Sequence, residues 1–129
     1  MQMLANDVVL VTGGGSGLGL GVARHCRAEG AHVVILEISQ DKVVQLREEF
    51  GPDVLVLQGD VTRIADLQAC HAAIVERYGR LNALIGTQGI FDGNLPLLEM
   101  APERIDALFD EVFHVNVQGY SLCARLYHA

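Results

Sequence analysis

The chain has 129 residues, half of them hydrophobic, and its nine basic against sixteen acidic residues give a net charge of −7. That length suits one domain and is too short for two independent cores, and the hydrophobic share argues against disorder. The longest apolar runs, such as Val8 to Val11, are too short for a membrane-spanning helix, no signal-peptide pattern is present, and the acidic balance argues against nucleic acid or anionic lipid as main partner.

In chain order, Val8 to Thr12 is a β-branched run stopped by glycine and predicts a buried strand. From Gly17 to about Glu29, Leu18, Val22 and Cys26 recur at helical spacing, and Gly30 fits a helix end. His32 to Glu37 predicts a second strand. Ser39 can cap a helix through Phe50, with Val43, Leu46 and Phe50 on one face, and Gly51-Pro52-Asp53 breaks it. Val54 to Leu57 predicts a third strand. Thr62 is a candidate cap for a helix with Ile64, Leu67, His71, Ile74, Val75 and Tyr78 along one face, stopped by Gly79. Leu81 to Ile85 predicts a fourth strand that Asn82 interrupts. Gly86 to Leu98 reads as a loop, and helical spacing then runs from Pro102 through Ile105, Leu108, Phe109, Val112, Asn116 and Tyr120, with a break near Phe113.

Alternating strands and helices of these lengths predict an α/β fold with a parallel sheet and right-handed crossovers. Such sheets bind ligands beyond the carboxyl ends of their strands. The candidate positions are therefore Gly13 to Gly19, Glu37, Asp60-Val61 and Gly86 to Gly89.

The stretch Thr12-Gly13-Gly14-Gly15-Ser16-Gly17-Leu18-Gly19 joins the first strand to the first helix. Gly13 permits a sharp turn, while Gly17 and Gly19 lack Cβ atoms where a pyrophosphate would approach unpaired amides at the helix amino terminus. A plain glycine-rich turn is the alternative, and the strand before and helix after favour the nucleotide reading. Glu37 ends the second strand at the position of a ribose acceptor, and its charge would select NAD over NADP; it can also be read as an ordinary strand-end carboxylate. Asp60 and the backbone of Val61 could meet an adenine, or Asp60 could be a turn aspartate ahead of a helix. Asn116 lies on an apolar helical stripe, where a buried amide needs partners: a water, a catalytic side chain or nearby backbone. The five histidines show no metal-ligand spacing, and His71 reads as a packed core residue. The three widely spaced cysteines, Cys26, Cys70 and Cys123, fit a reducing cytoplasm.

The glycine loop, the Asp60-Val61 pair and Phe109 to Val117 resemble the amino-terminal half of the short-chain dehydrogenase/reductase superfamily. Within it, Leu84-Ile85-Gly86, Gly89-Ile90-Phe91-Asp92 and Phe109 to Tyr120 resemble the bacterial cis-dihydrodiol dehydrogenases of aromatic-ring degradation, over about Val8 to Tyr120. The resemblance implies a Rossmann-type sheet of about four strands in the order 3-2-1-4, with helices on both faces. It places NAD on Gly13, Ser16, Gly17, Leu18 and Gly19, with Gly89 beside it, Glu37 at the ribose and Asp60-Val61 at the adenine. It makes Asn116 the helix asparagine that holds a water in the proton relay. The implied activity is oxidation of an aromatic cis-dihydrodiol to a catechol, in a cytoplasmic and usually homo-oligomeric enzyme.

Two departures stand out. Thr87-Gln88-Gly89 replaces the family's Asn-Ala-Gly, and Thr87 stands for an asparagine that ties strand ends together. The family's catalytic serine and Y-x-x-x-K pair would lie beyond Ala129, and Lys42 is the sole lysine. Residues 1–129 are thus expected to be a truncated, cofactor-binding part of one domain, prone to self-association along its fourth strand and not a competent dehydrogenase alone. The rival readings are a non-catalytic NAD-binding fragment, or another nucleotide-binding α/β module such as a methyltransferase.

Overall fold

The computed structural model describes residues 2–128. The β-branched runs form two strands, β1 (Val8–Thr12) and β2 (His32–Glu37), in which every residue but His32 is buried. Both faces of these strands are covered, which is why they read as continuous apolar runs with no alternation. β3 (Leu55–Gln58) and β4 (Ala83–Gly86) lie outside them, and the parallel sheet runs β3-β2-β1-β4. Val9 pairs with Val33 on one side and Ala83 on the other, and Leu36 pairs with Leu57. The order expected from the resemblance is the order found.

Two helical layers sandwich the sheet. On one face α1 (Gly17–Ala28) and α2 (Gln40–Phe50) pack Ala23, Cys26, Val43, Leu46 and Phe50 against Val9, Val11, Val33, Ile35 and Val56. On the other, α3 (Ile64–Tyr78) and the carboxyl-terminal helix pack Leu67, Cys70, Ile74, Cys123 and Tyr127 against Val8, Leu10, Val34 and Leu36. The long helical region from Pro102 divides as the break near Phe113 suggests: α4 (Pro102–Phe113), a wide π turn over His114–Gln118, and α5 (Gly119–Tyr127).

Several local expectations need correction. β3 begins one residue later than Val54 and β4 two later than Leu81. Asn82 precedes β4 and clamps the start of β1: its amide donates to the Val8 carbonyl (2.9 Å) and its side-chain oxygen accepts from the Val8 amide (2.8 Å). Arg63, without a side-chain hydrogen bond, caps α3, while the Thr62 hydroxyl donates to Asp60. The buried face of α1 is Gly19, Ala23 and Cys26, with Leu18 77% exposed. That of α3 is Leu67, Cys70 and Ile74, so Ile64 and Val75 face outward, while half-buried His71 lies 5.6 Å from the Tyr127 ring. Ser39 caps α2 as expected, accepting from the Lys42 amide at 3.4 Å. Gly79 ends α3 in the left-handed conformation.

Candidate functional site

The residues just past β1, β3 and β4 donate to the ends of neighbouring strands, so the sheet pairing continues into the site. The Gly13 amide donates to Leu36 O (2.9 Å), the Gly59 amide to Glu37 O (3.0 Å) and the Thr87 amide to Thr12 O (3.0 Å). Gly13 has φ +72°, and a Cβ there would meet the Gln88 amide nitrogen at 2.7 Å, so turn and close approach both require glycine. A Cβ on Gly19 would strike Gly13 O and Thr87 Oγ1, so this glycine also seats α1 against the loop ends. A Cβ on Gly15 would lie 2.6 Å from Glu37 Oε1, so the bare loop makes room for that carboxylate.

These ends enclose a cleft of about 290 Å³ between the first turn of α1, the end of β2 and the segment after β4. Gly13, Ser16, Leu18, Gly19, Glu37, Asp60, Val61 and Gly89 all line it, eight of the ten residues that the sequence proposes. Gly17, with φ +52°, lies in the same loop and opens to free space. Asn116 stands behind the cleft, in the π turn.

Each side chain has a defined setting. Ser16 is the extended residue before α1 and makes no capping bond, leaving first-turn amides free to meet an anion. Leu18, exposed on the helix, serves as cleft wall instead of core. Glu37 is 6% exposed at the end of β2, and Lys42 Nζ stands 3.8 Å from its Oε1. Lys42 Nζ also donates to Ser16 Oγ at 3.2 Å. Asp60 Oδ1 accepts from the Thr62 amide (2.8 Å) and hydroxyl (2.7 Å), the turn arrangement left open above, and its own amide donates to Asp66 (2.9 Å). Val61 is buried against Gly119. Asn116 grips the backbone of Ile90 twice, accepting from its amide (2.9 Å) and donating to its carbonyl (2.8 Å).

The departure at Thr87-Gln88 finds its explanation here. The Thr87 hydroxyl donates to Thr12 O at 2.8 Å, so it ties the ends of β1 and β4 together, the task expected of asparagine. Gln88 adds a longer tie, accepting from the buried Thr12 hydroxyl at 2.5 Å, while Tyr120 donates to the Gln88 carbonyl at 2.6 Å. The Gln88 side-chain nitrogen is buried without a partner among the described residues. Sequence reasoning passed over Lys42 as a cleft residue. The available signal was its place on the first turn of α2, which starts just past the end of β2. Among the described residues no group of three or more His, Cys, Asp or Glu is placed to hold a metal ion, and no helix is long and apolar enough to cross a membrane.

A family model described as short chain dehydrogenase matches residues 7–128, nearly the whole fold just described. The chain belongs to the short-chain dehydrogenase family. It is 44% identical over 124 residues to the cis-2,3-dihydrobiphenyl-2,3-diol dehydrogenase of Pseudomonas sp. (strain KKS102), covering 96% of this chain and 45% of that protein. It is 42% identical over 125 residues to the 3-phenylpropionate-dihydrodiol/cinnamic acid-dihydrodiol dehydrogenase of Photorhabdus laumondii, covering 97% of this chain and 45% of that one. The chain thus spans about half the length of the curated relatives it matches. Among solved structures, the 3-ketoacyl-(acyl-carrier-protein) reductase of Brucella melitensis complexed with NADH superposes with a TM-score of 0.84 at 31% identity, over 95% of this chain and 48% of that chain. For this short-chain dehydrogenase chain, the cleft at the strand ends is therefore the place to look for a dinucleotide.

Proposed function

We propose that the chain is the cofactor-binding part of an NAD-dependent dehydrogenase whose substrate is an aromatic cis-dihydrodiol. The observation that carries the cofactor reading is the convergence of eight expected residues on one cleft at the carboxyl ends of the strands. That cleft lies beside β1, where the strand order reverses: the chain runs outward from β1 to β2 and β3 and then crosses to β4 on the other side of β1, the switch point at which open α/β sheets take ligands. The residues fit a dinucleotide: free amides at the amino terminus of α1 suit the pyrophosphate, buried Glu37 suits the ribose hydroxyls, and Asp60-Val61 line the far wall for the adenine. NAD, when bound, supplies the hydride acceptor. The protein's part is to hold and orient: Thr12, Thr87 and Gln88 fix the loop ends at the β1–β4 side, and Asn116 fixes Ile90 beside Gly89.

The substrate reading rests on the names of the relatives and on a second cavity. About 460 Å³ in volume, it is lined by Ile90, Phe91, Leu95, Phe109 and Phe113 among others, and shares Ile90 with the first. An apolar, aromatic-lined cavity next to a dinucleotide cleft suits a hydrocarbon ring. Asn116, which joins the loop between the cavities to its helix, is the chain's positioning residue for the reaction. The cytoplasmic part of the reading is supported by three free buried cysteines, as a reducing compartment keeps them, and a homo-oligomeric enzyme is part of the same proposal. Titration of the purified chain with NADH, followed by cofactor fluorescence, tests the first part; saturable binding that adenosine diphosphate-ribose displaces is expected, and its absence refutes the cofactor reading. A chimera completed with the carboxyl-terminal half of a dihydrodiol dehydrogenase tests the second, and turnover of simple alcohols but not cis-dihydrodiols would refute it.

A further inference from the structure

We infer that Lys42 is a second selectivity residue in the cleft, acting against Glu37: its ammonium is placed to meet a 2′-phosphate, so the site takes NADPH as well as NADH, with NADH preferred. This rests on the dinucleotide reading above. Glu37 by itself would repel a 2′-phosphate, yet it does not act by itself. Lys42 Nζ lies 3.8 Å from its Oε1, and Lys42 is, among the described residues, the only lysine or arginine side chain lining the cleft. The pair is unequally placed: the Glu37 side chain is 7% exposed and fixed, whereas Lys42 is 42% exposed on a flexible stem. A loose, half-exposed ion pair contributes little stability, so the ammonium can leave the carboxylate for a phosphate at small cost. Ser16 completes the corner. Its hydroxyl accepts from Lys42 at 3.2 Å and retains its own proton to donate, next to the free first-turn amides of α1. An ammonium, a hydroxyl and a helix amino terminus thus line the corner of the cleft that Glu37 would otherwise guard alone.

The test titrates the full chain, with Lys42→Met and Lys42→Arg beside it, against NADH and NADPH, and against 5′-AMP and adenosine 2′,5′-bisphosphate as competitors. Lys42→Met should weaken NADPH at least tenfold more than NADH, and adenosine 2′,5′-bisphosphate more than 5′-AMP by a similar factor. Lys42→Arg should restore the NADPH affinity, and the difference should shrink as salt rises. Circular dichroism checks that the variants fold alike. Equal weakening of both cofactors by Lys42→Met, no weakening of either, or a wild-type chain that binds NADH but no NADPH would overturn this inference and leave the dinucleotide reading standing. A wild-type chain that binds neither cofactor overturns both.

Discussion

Glu37 is the buried carboxylate on which the proposed choice of cofactor turns. It ends β2 almost inaccessible to solvent, under a loop whose Gly15 leaves it room, and faces the cleft. Hydrogen bonds to a charged acceptor contribute about 1.5–3 kcal/mol each, so Glu37→Ala should lower NADH affinity by about tenfold or more while NADPH loses less or gains. Isothermal titration with both cofactors checks this; an unchanged ratio would show that the carboxylate takes no part in selection. Gly19→Ala is expected to do a different kind of harm. Its Cβ would meet Gly13 O and Thr87 Oγ1, backbone and an engaged hydroxyl that cannot yield without parting α1 from the strand ends. Overpacking of this kind costs about 1–3 kcal/mol, so a lower urea midpoint should accompany weaker NADH binding. Residue types and spacing made Gly13, Glu37 and Asp60-Val61 legible in the sequence. Lys42 was not, because its relevance depends on a side chain reaching back from α2, which spacing along the chain does not show.

At the scale of elements, the apolar runs of β1 and β2 were readable to the residue because both faces are buried and no alternation blurs their ends. The helix faces were less so, for a physical reason. Periodicity weighted by side-chain size picks out Cys26, Leu67 and Ile74, which do meet the sheet, but also Leu18, Ile64 and Val75, which do not, and it passes over Gly19, Ala23 and Cys70, which do. Small residues let α1 approach the sheet closely, and Leu18, large and apolar, is left to be a wall of the cleft. For Asn116 the sequence offered a backbone partner as one of its readings but not which one: the groups it holds belong to Ile90, twenty-six residues away, across a loop that no sequence period describes. Two net bonds of about 0.5–1.5 kcal/mol each predict that Asn116→Ala loosens the segment after β4. Hydrogen exchange at the Ile90 amide should then accelerate well before the β1 and β2 amides do. Equal acceleration across the sheet would mean that Asn116 supports the whole fold and not this segment.

For the whole molecule, the two core layers differ in their response to pH. The layer beneath α3 and α5 holds Cys70, Cys123 and Tyr127, all nearly inaccessible, with the Tyr127 hydroxyl donating to Leu67 O at 2.9 Å. Burial pushes both thiols up to about 11, and for Cys123 the neighbouring Cys70 adds to the effect. Burial also drives the Tyr127 phenol upward, with Cys70 contributing. These groups stay protonated in the folded chain at pH values where the unfolded chain has begun to release the same protons. The folded state therefore binds more protons than the unfolded one in that window, and stability falls as pH rises. The contribution is whole below the ordinary thiol value of 9.0 and is lost progressively up to about 11. Each thiol adds a slope of at most about 1.4 kcal/mol per pH unit across it. Urea unfolding between pH 7 and 11 should show a plateau followed by this decline. A chain carrying Cys70→Ala and Cys123→Ala should start from a lower plateau, because two buried side chains are shortened, and then lose less between pH 9 and 11. Parallel curves for the two chains would place the alkaline sensitivity elsewhere, in Tyr127 or in the ion pairs of the surface.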